Sequence, residues 1–124
     1  MQAPTWIRAA ALALALLLPL AAAPARAQQK SATPVKRDYH VDINNRTGYT
    51  IMYVYVSPEA SSEWEEDVLG SGVLQDRTST RVTLRGYGSP MFDIRLIDSD
   101  GDSYTFWNVD VSRRDITVTL DDLD

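Results

Sequence analysis

From residue 38 onward the chain is built of short apolar runs with a period of two, and a turn signal interrupts them about every ten residues. "YHVDI" sets Tyr39, Val41 and Ile43 against His40 and Asp42. "TRVTL" sets Thr80, Val82 and Leu84 against Arg81 and Thr83, and "ITVTL" aligns Ile116, Val118 and Leu120. "TIMYVYV" is apolar on both parities and reads as a central strand covered on both faces. The longest non-strand segment is "SPEASSEWEEDVLG". There Ser62 and Glu65 have capping-box spacing, Trp64 and Val68 share a helical face, and Gly70 suits a C-terminal stop. The pattern predicts an all-β fold: a small antiparallel β-sandwich or partly open barrel of six to seven strands. It adds one short helical segment, whose Trp64 plugs an end of the core.

The preceding residues have another character. "MQAPTWIR" carries one cation, "AAALALALLLPLAAA" is apolar, and "ARA" at Ala25–Ala27 is the small-x-small pattern read by signal peptidase. A signal peptide is expected over 1–27, a disordered tether over 28–37, the β-sandwich domain over 38–120 and a frayed acidic tail over 121–124. Cleavage removes Arg8 and Arg26 but no carboxylate, so the formal net charge moves from −5 to −7. Such acidity disfavours nucleic acid, where phosphate neutralisation supplies much of the affinity. It also provides no polybasic segment for anionic lipid, so no membrane association is expected after cleavage. The chain has no cysteine. A small exported domain commonly relies on disulfides, so here core packing must supply the stability alone.

"DSDGD", Asp98–Asp102, admits two readings. As a two-residue hairpin loop at Asp100-Gly101 it pairs Leu96 with Thr105, Ile94 with Trp107 and Phe92 with Val109, and places Tyr104 on the opposite face. As a calcium loop it offers Asp98, Asp100 and Asp102 at positions 1, 3 and 5, but Ser103 and Val109 stand where glycine and the bidentate glutamate belong. The turn is favoured, with a weak hydrated cation site on those three carboxylates as the alternative. No cofactor is expected. His40 is the only histidine, and no cysteine can join it in a catalytic or metal-binding pair. The carboxylates of "EWEED" read as a charged surface rather than a glycosidase pair. Tyr53, Tyr55, Tyr87 and Tyr104 are the ligand-binding candidates, weighed against service as a second core face.

A longer pattern joins these pieces. Asn45, Thr47, Gly48, Ile51, Tyr55, Val56, Ser57 and Pro58 fit N-x-T-G-x-x-I-x-x-x-Y-V-S-P. Trp64, Asp67, Leu69 and Gly70 fit W-G-x-D-x-L-G with Glu65 in place of the glycine, and Asp98–Gly101 fits D-x-D-G. In these motifs the chain resembles a family of small exported bacterial proteins. The resemblance implies export and a β-rich fold, and supplies no catalytic residues. Some relatives bear the label argininosuccinate lyase. That enzyme is a large, mostly helical tetramer whose signature residues have no counterparts here. The expected function is therefore an exported, non-enzymatic structural or interaction domain, periplasmic or secreted, with a protein or glycan partner. The alternative is a carbohydrate- or peptide-binding module using exposed tyrosines. Mass spectrometry of protein recovered from the envelope or medium of the producing cell should find Gln28 as the N-terminus. A majority species retaining Met1 would refute cleavage.

Overall fold

The computed structural model describes residues 35–124, so the expected signal peptide, its expected cleavage site and residues 28–34 of the expected tether lie outside the described residues. Among the described residues six strands occur: β1 (Arg37–Asn45), β2 (Ile51–Pro58), β3 (Ser79–Tyr87), β4 (Met91–Asp98), β5 (Ser103–Asp110) and β6 (Ile116–Val118). They form two three-stranded sheets, ordered β3-β1-β6 and β2-β4-β5. Alternate residues of both sheets meet in one core. Val41, Ile43, Val82 and Ile116 come from the first sheet, and Val54, Phe92, Ile94 and Leu96 from the second. The fold is all-β as expected, and the sheets remain separate, so no barrel closes.

Not every pairing is antiparallel. β6 runs parallel to β1, with Ile43 opposite Ile116 and Asn45 opposite Val118. The chain reaches β6 by crossing from the other sheet, so no hairpin forces it to oppose its neighbour. β2 is an edge strand, not a central one. An irregularity between Ile51 and Tyr53 brings Ile51 onto the same buried side as Val54 and Val56. Tyr53 and Tyr55 are thereby left on the outer face.

The expected helix around Trp64 does not form. Among the described residues the only helical turn is a 3-10 turn at Leu120–Asp122. Local hydrogen bonding explains the difference. Val68 N donates to Val54 O at 2.7 Å, and Glu65 N donates to Ser57 Oγ at 2.7 Å. Asp67 Oδ1 accepts from Val54 N and from Leu69 N. Donors that a helix would use internally are spent on β2 or on this carboxylate. Gly70, at φ +61°, lies in a turn of this segment rather than behind a helix. The acidic tail is also ordered. Thr119 and Asp122 form a capping box, Leu123 bridges to Tyr104, and Asp124 N donates to Ser103 O at 3.0 Å.

"DSDGD" is a hairpin turn with three residues in its loop rather than two. Asp98 N donates to Asp102 O at 2.9 Å, Gly101 N donates to Asp98 O at 3.0 Å, and Gly101 sits at φ +86°. This is the turn-plus-left-handed-glycine form of a three-residue loop. The added residue shifts the pairing near the turn, so Leu96 faces Tyr104 and Ile94 faces Phe106. Tyr104 therefore points into the core and is fully buried, contrary to the expected register. A bulge at Trp107 and Asn108, with Asn108 at φ +53°, restores the expected Phe92–Val109 pair.

The buried Asp98 carboxylate organises this turn. Oδ1 accepts from Asp100 N and Asp102 N, and Oδ2 accepts from the Tyr104 hydroxyl at 2.8 Å. Burial first, then the bond and the negative charge of Asp98, push the Tyr104 phenol well above its ordinary pKa. Both carboxylate oxygens of Asp98 thus accept from protein donors, and among the described residues no group of three or more carboxylates or histidines is disposed to hold a metal ion. Asp98→Ala should cost about 3 kcal/mol, because it strands three donors. Asp100→Ala, at an exposed position, should change stability by about 0.5 kcal/mol or less. Urea unfolding separates the two, and millimolar calcium should leave the wild-type midpoint unchanged. A phenol with a raised pKa favours the folded state fully below the unfolded tyrosine value of 10.0. That contribution should be lost progressively above about pH 10, and less steeply in Tyr104→Phe.

Candidate functional site

The two outer sheet faces differ in kind. The β3-β1-β6 sheet presents His40, Asp42, Asn44, Arg81, Thr83 and Thr117. Arg81 holds Asp42 through two bonds of 2.7 and 2.9 Å, and the guanidinium's hydrogen bond keeps that carboxyl below its usual range. His40 is exposed on this side. The opposite face, on β2-β4-β5, is aromatic.

Register sets the aromatic face. Tyr53 lies opposite Ile97, and Tyr55 lies opposite Arg95, which lies opposite Thr105. The Tyr53 and Tyr55 rings are nearly parallel, 13° apart with centroids at 6.3 Å. Trp64, carried over the sheet by the segment after β2, places its ring 4.9 Å from the Arg95 guanidinium carbon. Trp64 also meets Trp107 of the β5 bulge, with centroids at 5.8 Å and planes tilted by 41°. The bulge moves Trp107 out of the regular pleat, and Asn108 N is secured by Asp93 Oδ1 at 2.8 Å. Tyr53 remains 46 % exposed and Trp107 61 % exposed, unusual for rings of this size.

Polar groups fix the floor and rim. Arg95 Nε donates to Thr105 Oγ1, which donates to Asp124 Oδ2 at 2.6 Å, and the Ser103 hydroxyl donates to the same oxygen at 2.7 Å. Burial would raise the Asp124 carboxyl, but these hydroxyl bonds and nearby Arg95 outweigh it and hold it below its ordinary value. Between Trp64 and Trp107 opens a small cleft of about 90 Å³, lined also by Ser57, Ser61, Ser62, Glu63 and Asp93. A wider depression at the loop end of the sandwich has mixed charge. There Asp76 Oδ1 accepts from Gly48 N, and its Oδ2 lies 3.7 Å from Arg77 Nε.

The residues singled out from the sequence separate accordingly. Tyr53 and Tyr55 lie together on the aromatic face. Tyr87 is half-buried at the sandwich edge, edge-on to Phe92 at 5.0 Å. Burial, then the charge and hydrogen bond of Glu65, raise its phenol pKa. Tyr104 is buried and spent on Asp98, so it is no ligand contact. Trp64 is half-buried on the outer face and absent from the core it was expected to plug. Trp107, which hairpin counting had placed beside Ile94, is the most exposed ring of the patch. Asn108, which tolerates positive φ, was the available sign of a bulge there. Comparison with protein-family models, with curated proteins and with solved structures finds no match to this chain.

Placement of Trp64 outside the core makes a direct prediction. Trp64→Ala should cost about 1 kcal/mol, whereas Phe92→Ala, inside the core, should cost about 3–5 kcal/mol. Urea midpoints followed by circular dichroism compare them, and equal losses would return Trp64 to the core.

Proposed function

We propose that this chain is an exported, non-enzymatic interaction module that docks a partner protein across the outer face of β2-β4-β5. The observation that carries the proposal is the asymmetry of the sandwich, one outer face polar and the other a row of Tyr53, Tyr55, Trp64 and Trp107. Large, partly exposed rings held by a rigid sheet bury much area at little entropic cost, and they dominate many interfaces. Arg95, Thr105 and Asp124 supply hydrogen-bonding groups at its centre. Export rests on the leader and on the family resemblance of the "NNRTGYTIMYVYVSP" stretch.

A second reading is a glycan-binding surface. The exposed Tyr53 ring beside Tyr55 favours it, because the apolar side of a sugar ring packs against exposed aromatic side chains. Peptide and oligosaccharide arrays probed with purified protein decide between the two. Binding should be lost by at least about tenfold in Tyr53→Ala, which removes a ring of hot-spot type. Thr83→Ala, on the polar face, should bind as the wild type does. Ligands that tolerate Tyr53→Ala but are lost with Thr83→Ala would place the binding surface on the other sheet.

A further inference from the structure

We propose that the Trp64–Trp107 cleft receives the ammonium head of a lysine side chain presented by the partner, so that the module selects basic segments. The inference rests on the interaction reading and adds the chemistry of what is bound. Three features of the cleft carry it. Its walls are two indole rings, the aromatic faces that attract cations most strongly. The rest of its lining is Asp93, Glu63, Ser57, Ser61 and Ser62, all residues with acceptor side chains, and no cationic residue lines it. Its volume of about 90 Å³ suits a compact head on a thin stem better than a sugar ring.

The bonds already present leave capacity. Asp93 Oδ1 accepts from Asn108 N, and a carboxylate offers further lone pairs on its second oxygen. An ammonium brings three N–H donors to such acceptors, while its methylene stem lies along the indoles. Arg95 already makes the same type of contact with Trp64, and its own charge is engaged through Thr105 with Asp124. Trp107 is the exposed wall that an arriving cation would meet. The field beyond the cleft has the matching sign. Residues 59–67 carry Glu59, Glu63, Glu65, Glu66 and Asp67 and no cation. Oligomeric basic segments are therefore steered toward this rim, with an association rate that salt suppresses.

The test uses purified protein, with a lysine decamer and the same decamer fully acetylated as probes, and indole fluorescence as the readout. The lysine decamer should bind at least about tenfold more tightly than the acetylated one, since acetylation removes the charge that the rings and carboxylates recognise. Trp107→Ala and Asp93→Asn should each weaken it about fivefold or more. Asp100→Asn makes the same charge change at the exposed hairpin turn and should leave affinity within about twofold. Circular dichroism confirms that each variant is folded. Equal binding of the two decamers, equal weakening by Asp100→Asn and Asp93→Asn, or no binding of the lysine decamer would each overturn the lysine assignment. The docking reading fails separately: array ligands lost in Tyr53→Ala but indifferent to lysine acetylation keep the face and remove only the ammonium.

Discussion

The amide of Asn45 does for this sandwich what a staple would do in another small domain. It is completely buried at the end of β1 and every polar atom of its side chain is matched. Nδ2 donates to Tyr49 O and Leu74 O, while Oδ1 accepts from the amide and the hydroxyl of Thr47. The strand end, the 46–49 turn and the segment leading to β3 are thereby joined at one point. Thr47 Oγ1 in turn accepts from Tyr49 N at 3.0 Å, which closes the turn on the same point. A buried network of this kind adds fixed geometry only when all its members are satisfied, as these are. Without a cysteine, it is the directional element that complements the undirected packing of the core.

Period-two alternation made β1, β3 and β4 legible, because one buried face imposes strict sorting on each. Val41 and Ile43, Val82 and Leu84, and Phe92, Ile94 and Leu96 all point inward as alternation requires. What alternation does not encode is the length of a turn. A single added residue in the loop at Asp98–Asp102 reversed the fate of Tyr104, and a compensating bulge exposed Trp107. Trp64 departs from its expected place for a related reason. Helical spacing in "SSEWEEDVLG" is a local signal, whereas Val68 N and Glu65 N, which a helix needs, donate to Val54 O and Ser57 Oγ of β2. The tail held a capping signal in Thr119 and Asp122, but its attachment to β5 is a tertiary fact invisible to composition.

These same departures from regular spacing assemble the candidate site. The patch consists of an irregularity in β2, a non-helical segment that carries Trp64 over the sheet, and a bulge in β5. Hydrophobic patterning identifies most of the core, though not Tyr104. The residues of the proposed docking face are those displaced from the pattern. That division agrees with the view that local inconsistency between sequence and fold concentrates where a protein meets something else.

The edges of the aromatic sheet decide how a partner can approach it. Val54 and Ile51 of β2 are already bonded by Asp67, Val68 and Leu74, and the first residues of β5 are paired by Leu123 and Asp124. Farther along β5, the bulge at Trp107 and Asn108 twists the backbone out of ladder geometry. An extended peptide therefore finds no continuous row of main-chain groups along which to add as another strand. A partner of the kind proposed would therefore meet this sheet face-on, through side chains, and be chosen for its chemistry and shape and not for its readiness to become β-structure. The same closure guards an exposed aromatic surface against polymerising through its own strands.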